Sequence, residues 1–166
     1  MTAQTQANWT DEDETAILNA IDKWVEGEVR PIAREHDQAD SYPHELVEQM
    51  KELGLFGAII SPNYGGLGLP ASTYAKIVLK VAAAWMAPSG IFNSHLIMAS
   101  AIERTGTEEQ KAEWLPKMAT GELRGGIALT EPNAGTDLQA IRTKAEKTNE
   151  GYRLNGTKTW ITNSLH

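Results

Sequence analysis

From Thr10 onward, apolar residues recur every three or four positions. Ile17, Leu18, Ile21, Trp24 and Val25 form one stripe, which Val29 and Ile32 extend; this is the period of an amphipathic helix facing a core. Thr10 followed by Asp13 predicts a capping box, and Asp11 to Glu14 complement the positive end of the helix dipole. Pro31 predicts a kink or a break, because proline lacks the N–H a helix uses and crowds the preceding turn. The helix is expected to end near Asp37. Residues 1–9 carry no such pattern and are expected to be disordered.

A second helix is expected from Tyr42-Pro43, with Pro43 in its first turn and Leu46, Val47, Met50 and Leu53 on its apolar face. Gly54 is expected to cap its end. The apolar run Leu55 to Ile60 leads into the glycine-rich loop Ser61 to Pro70. A dinucleotide-binding fingerprint needs a preceding strand, a third glycine at its spacing and a helix opening on the glycines, so this loop is read as a tight structural turn. Third and fourth helices are expected over residues 71–86 and 90–105, broken at Pro88-Ser89-Gly90. Ile77, Val78, Val81, Trp85, Ile91, Leu96, Ile97 and Ala101 place both at the centre of a bundle. His95 falls among them and is read as a satisfied core histidine. Thr107 and Gln110 form a capping box for a fifth helix, with Trp114, Leu115 and Met118 facing inward and Gly121 ending it.

At Leu123 the period changes. Ile127 to Thr130 read as a strand, Thr143 to Lys147 alternate weakly, and Tyr152, Leu154 and Thr157 to Ile161 suggest two more. Asn155-Gly156 carries the signal of a type I′ hairpin turn. The expected architecture is therefore α+β, with a helical bundle over 1–122 and a partial antiparallel β domain over 123–166 that is too short to close a barrel.

Charge changes this picture little. The chain of 166 residues has a net charge of −7, and residues 1–60 hold 13 Asp or Glu against 4 Lys or Arg. This reads as a solvated acidic helical surface, and the lack of a basic stripe excludes a nucleic-acid binder. The absence of cysteine removes disulfide, thiolate-metal and thiol chemistry and fits a reducing, cytoplasmic compartment. No apolar run is long enough to span a bilayer.

Two polar, glycine-bearing segments concentrate the candidate chemistry. The first runs Ala128-Leu129-Thr130-Glu131-Pro132-Asn133-Ala134-Gly135-Thr136-Asp137, and the second is Trp160-Ile161-Thr162-Asn163. Between them lies the run Leu154 to Lys158, LNGTK. This combination resembles the acyl-CoA dehydrogenases, whose flavin-binding middle domain carries T-E-P-x-A-G-S/T-D, then L-N-G-x-K, then W-I-T-N. The loop at Tyr64 to Gly68 resembles a Y-G-G-x-G loop of the same family, so the resemblance runs from about residue 13 to residue 163.

The resemblance implies FAD as cofactor. It assigns Ile127, Ala128, Leu129, Thr130, Gly135, Thr136, Trp160, Ile161 and Thr162 to the flavin. Thr162 is then expected to hydrogen-bond the ring nitrogen that accepts hydride, and Trp160 to pack against the ring. Thr136, where the family commonly has Ser, is expected beside both the pyrophosphate and the acyl-CoA. For such a ligand Gly135 lets the backbone approach closely. The hydroxyls of Thr130 and Thr136 suit the pyrimidine edge and the phosphates. Donors aimed at developing negative charge stabilise it. Glu131 precedes a proline and Asp137 ends a turn, so neither is read as a general base. Lys158 is expected to be solvated.

The implied reaction is α,β-dehydrogenation of an acyl-CoA thioester, with electrons passing to an electron-transfer flavoprotein and a homotetrameric parent. The family's catalytic carboxylate lies beyond the stretch that this sequence matches, so no catalytic residue is assigned and the isolated chain is expected to be inactive. A flavin oxidase or monooxygenase of the same superfamily, or a non-catalytic subunit completed by another chain, remain alternatives.

Overall fold

The computed structural model describes residues 9–164. Of the segment expected to be disordered, residues 1–8 lie outside that range. Trp9 does not behave as expected: its indole N–H donates to the Leu67 carbonyl at 3.1 Å, and its ring packs against the core.

Helix α1 (Asp11–Trp24) opens on the expected capping box, with Thr10 Oγ1 accepting from the Asp13 N–H at 3.1 Å and Asp13 Oδ2 accepting from the Thr10 N–H at 3.0 Å. A π-helical turn, Val25–Val29, then joins it to α2 (Arg30–Ala39). The cause is Pro31. A proline ring collides with the carbonyl four residues back, here that of Gly27. The wider turn relieves this clash, and the Arg30 N–H reaches back five residues to the Val25 carbonyl. Helix α2 ends at Ala39, two residues later than expected, and the chain leaves it at Asp40, whose φ is 50°.

Helix α3 (His44–Glu52) starts one residue after Pro43, and α6 (Glu108–Thr120) carries the Thr107–Gln110 capping box. Gly54 at φ 70° and Gly121 at φ 75° take the left-handed conformation that ends these two helices. The Ser61–Pro70 loop folds back on residues 57–60: the N–H groups of Leu67, Gly68 and Leu69 donate to the carbonyls of Gly57, Ile60 and Ala58. Those donors are spent internally, as a structural turn requires.

Helices α4 (Ala71–Ala84) and α5 (Met86–Thr105) are broken at Trp85, not at Pro88–Gly90. Trp85 is extended, with φ −159°. Pro88 then falls in the first turn of α5, where its missing N–H has no helical partner to lose. α1 packs on α4, α4 on α5 and α5 on α6. Ile21, Leu46, Met50, Phe56, Ile77, Phe92, Leu96 and Leu115 fill the centre at 1% exposure or less, each contributing about 1.5–3 kcal/mol. Ile97 and Ala101 are not central. They share the outward stripe of α5, while Ile91, Phe92, His95, Leu96, Ala99 and Ile102 face inward.

After Gly121 the only regular strands among the described residues are β1 (Lys144–Thr148) and β2 (Gly151–Asn155), paired antiparallel with Lys144 opposite Asn155 and Thr148 opposite Gly151. The turn is therefore Asn149-Glu150, six residues before the expected Asn155-Gly156. Gly156 instead lies against Thr143, where a Cβ would come within 2.7 Å of the threonine Cβ. Every residue of both strands is exposed. Two expected strands are absent. Residues 127–130 make no ladder; Thr130 accepts one bond, from the Thr159 N–H at 3.0 Å. Residues 157–161 cannot continue as a strand because Trp160 sits at φ 58°.

Candidate functional site

The approach to the first motif is anchored on α5. His95, with no exposed surface, presents Nε2 to the carbonyls of Phe56 at 3.1 Å and Met118 at 3.0 Å, while its Nδ1 accepts from the Gly125 N–H at 3.2 Å. Two carbonyls on one nitrogen and an N–H on the other fix a neutral ring protonated at Nε2. Burial, opposed by the two carbonyls and helped by the charge of Arg124, holds its pKa below the usual histidine value. His95 is thus the satisfied core residue expected from the sequence.

The second motif reaches the same place. The side-chain amide of Asn163 donates to the Ile91 carbonyl at 3.1 Å and to the Gly125 carbonyl at 3.2 Å. Asn163 does so from a left-handed backbone, φ 66°, a conformation asparagine tolerates better than most residues. Gly126 lies against the Thr162 carbonyl so closely that a Cβ would stand 2.7 Å from it.

Glu131 is 8% exposed and its carboxylate is fully engaged. Oε1 accepts from the Thr143 N–H at 2.9 Å and the Thr143 hydroxyl at 2.5 Å, and Oε2 from the Arg142 N–H at 2.8 Å. Lys158 Nζ lies 2.9 Å from Oε1 and also donates to the Leu129 carbonyl at 2.9 Å. These bonds, led by the Thr143 hydroxyl, pull the carboxyl down to about 2. Glu131 is therefore a structural anion, and Lys158 is not solvated as expected: the buried carboxylate draws its ammonium inward. Asp137 accepts from the Gln139 N–H at 3.2 Å and closes its own turn.

The remaining motif residues form an open surface. Ile127 and Leu129 are 38% and 39% exposed, and Trp160 is 92% exposed. Ala128, Gly135, Thr136 and Thr162 are exposed, and Thr130 and Ile161 are half-buried. The Lys158–Leu129 and Thr159–Thr130 bonds bring the two motifs together at one end. No hydrogen bond joins Gly135 or Thr136 to residues 160–162 among the described residues. Thr162 also borders a cleft of about 650 Å³ between the α2–α3 corner and the start of α5, lined by Asp37, Asp40, Tyr42, Trp85 and Ile91 among others. The sequence reading missed this cleft, whose walls lie far apart along the chain.

This donor set fits a flavin dinucleotide. Nothing stands within 4 Å of the position a Gly135 Cβ would take, so the backbone there is open to a phosphate. Threonine hydroxyls and a bare indole face supply what phosphates and a fused ring require. No group of three His, Cys, Asp or Glu among the described residues could hold a metal ion. No helix among them is long and apolar enough to cross a membrane.

Residues 11–122 match the sequence model of the acyl-CoA dehydrogenase N-terminal domain, and residues 126–166 match that of the acyl-CoA dehydrogenase middle domain. A short-chain specific acyl-CoA dehydrogenase of Clostridium acetobutylicum is 38% identical over 94% of this chain and 41% of its own. An acryloyl-CoA reductase (NADH) of Anaerotignum propionicum is 40% identical over 84% of this chain and 36% of its own. The structure of butyryl-CoA dehydrogenase from Megasphaera elsdenii superposes with a TM-score of 0.84 at 32% identity, over 95% of this chain and 42% of that one. The chain thus spans about two fifths of the length of these relatives. On the match to both domains and on the shared fold, it belongs to the acyl-CoA dehydrogenase family.

Proposed function

We propose that residues 1–122 form the amino-terminal bundle, and residues 123–166 the first part of the flavin-facing domain, of an FAD-dependent dehydrogenase that introduces an α,β double bond into an acyl-CoA thioester. The observation that carries this reading is the surface shared by the two motifs. It is tied together at Thr130–Thr159 and leaves Trp160 almost wholly exposed on a left-handed turn. A large indole held in the open by its backbone has area to offer a planar ligand.

Bound FAD supplies the acceptor for the β-hydride. The chain's own residues orient and exclude. Residues 127–130 and Trp160 cover the ring, and the hydroxyl of Thr162 donates to it from the rim of the cleft. Gly135 and Thr136 hold the pyrophosphate, and Thr136 also meets the acyl-CoA. The cleft beside Thr162 receives the acyl group. Neither carboxylate of the first motif is placed to remove an α-proton: Glu131 is locked among four donors and Asp137 is committed to its turn. With the family's catalytic carboxylate beyond the matched stretch, residues 1–166 alone are expected to be inactive. Electron-transfer flavoprotein as acceptor, a homotetrameric whole protein and a cytoplasmic location complete the reading.

A second direction is favoured by one observation, the 40% identity to an acryloyl-CoA reductase. The same surface would then serve hydride delivery to an enoyl-CoA.

The test is a titration of the protein with FAD, followed by flavin fluorescence and visible circular dichroism. Saturable quenching with an induced dichroic band is expected. Loss of the flavin absorbance on anaerobic addition of a saturated acyl-CoA to the whole protein would establish dehydrogenation, and reoxidation by an enoyl-CoA the reverse. A protein that leaves FAD fluorescence unchanged would overturn the reading.

A further inference from the structure

The geometry points to Lys158, seated on Glu131, as the positioning residue that holds the two flavin-facing motifs in register. The inference rests on the flavin reading above and assigns a role to a pair that the reading itself leaves unused.

Lys158 leads into the second segment by sequence, two residues before Trp160 and four before Thr162. Its ammonium belongs to the first segment by contact. It donates to the Leu129 carbonyl and to Glu131 Oε1, both at 2.9 Å. The backbone repeats the link one residue further along, where the Thr159 N–H donates to the Thr130 carbonyl at 3.0 Å. Glu131 in turn gathers the Arg142 N–H and both donors of Thr143. It also closes the turn 131–134, exchanging backbone bonds with Ala134 at 2.8 and 3.2 Å. One carboxylate thus ties together the turn that leads to Gly135 and Thr136, the entry to β1, and the lysine that leads to Trp160.

No regular ladder joins these segments among the described residues. Residues 127–130 and 157–161 are not strands, and β1 and β2 pair only with each other. Two loop segments joined by one backbone bond would slide against each other. A charged pair at 21% and 7% side-chain exposure resists sliding, because separating it strands an ion in a poorly solvated place. Lysine suits this position because its ammonium can donate to a carbonyl and a carboxylate at once.

The test compares Lys158→Met, Lys158→Arg and Glu131→Gln in the same protein, with two readouts. Amide hydrogen exchange without ligand reports the clamp itself. In Lys158→Met the Thr159 and Thr143 amides should exchange about tenfold faster, the local-opening scale of one lost interaction, while α5 and α6 amides keep the wild-type rates. FAD titration reports the consequence. Lys158→Met should weaken FAD binding by about tenfold or more and alter the dichroic band of the bound flavin, since a site loosened by an ångström loses that much. Lys158→Arg should recover most of both. Glu131→Gln should follow Lys158→Met.

Unchanged exchange at Thr159 in Lys158→Met overturns the clamp. Faster exchange with wild-type FAD affinity and an unaltered dichroic band also overturns it, because the pair would then be only structural. If the wild-type protein fails to bind FAD, the flavin reading falls and the positioning role falls with it, whatever the exchange data show.

Discussion

The Gly125 amide donates to Nδ1 of His95 across 3.2 Å, joining the last helix-linked stretch of backbone to a histidine with no exposed surface. Because Nδ1 accepts, the proton must sit on Nε2, where the Phe56 and Met118 carbonyls receive it. The histidine is a three-way bolt between α5, the residues 55–57 turn and the end of α6.

Removing it should be costly. His95→Ala is expected to destabilise the fold by about 3 kcal/mol, since two buried carbonyls lose their donor and a cavity opens. Urea denaturation measures this. The pH dependence has a definite sign. The folded pKa lies below the ordinary 6.5, principally through burial. The neutral ring therefore stabilises fully above about pH 6.5, and this contribution fades as pH falls through that value towards the folded pKa. His95→Gln should remove that part of the pH profile.

Glu131 predicts a second, more acidic step. Its folded pKa of about 2 stands against 4.5 for the free side chain, and the Thr143 hydroxyl is the largest cause. The carboxylate's contribution is complete above about pH 4.5 and is lost as pH falls towards 2. Protection of the Arg142 and Thr143 amides should fade over that window in the wild type. In Glu131→Gln it should already be low at neutral pH.

Two glycines predict opposite outcomes for the same substitution. A Cβ on Gly66 would stand 2.6 Å from the carbonyl carbon of Ile60, so Gly66→Ala must push apart the turn over residues 57–60. A loss of about 2 kcal/mol or more is expected. Gly27 has nothing within 4 Å of its missing Cβ. Gly27→Ala should stabilise by about 0.5–1 kcal/mol, through the unfolded chain and helix propensity. Thermal melts of the two variants read both.

Trp160 separates folding from binding. At 92% exposure it contributes little to the fold, so Trp160→Ala should change stability by less than about 0.5 kcal/mol. The same change should weaken FAD binding markedly, as the indole face is what the ring would cover. Equal FAD affinity in the variant and the wild type would refute that role.

What could be read from the sequence follows the range of the forces involved. The helices were legible because caps and apolar periods are local: Thr10–Asp13 and Thr107–Gln110 form the boxes their spacing implies. The break at Trp85 was not, because a tryptophan carries no breaker signal and the nearby Pro88-Ser89-Gly90 does. Asn155-Gly156 misled for a related reason. Its turn preference is real, but register is settled by pairing, and here the pairing puts Asn149-Glu150 at the bend. The two motifs stood out as sequence. The partner of Lys158 did not, since burial of Glu131 depends on Arg142 and Thr143 closing over it. The cleft was invisible because Asp37–Pro43 and Met86–Ile91 meet only in the folded bundle.

The π-helical turn at Val25–Val29 has the form of a one-residue insertion within a helix. Each helical residue advances the screw by about 100°, so this turn sets the phase of α2 against α1. That phase is what points His36 at the Trp85 ring, 5.7 Å away, and brings Asp37 within 3.3 Å of the Trp85 indole N–H. Excising Gly27 would unwind the insertion and rotate α2 by one residue's angle. The wall of the cleft would then be built from different side chains, with no residue that touches the cleft having been changed.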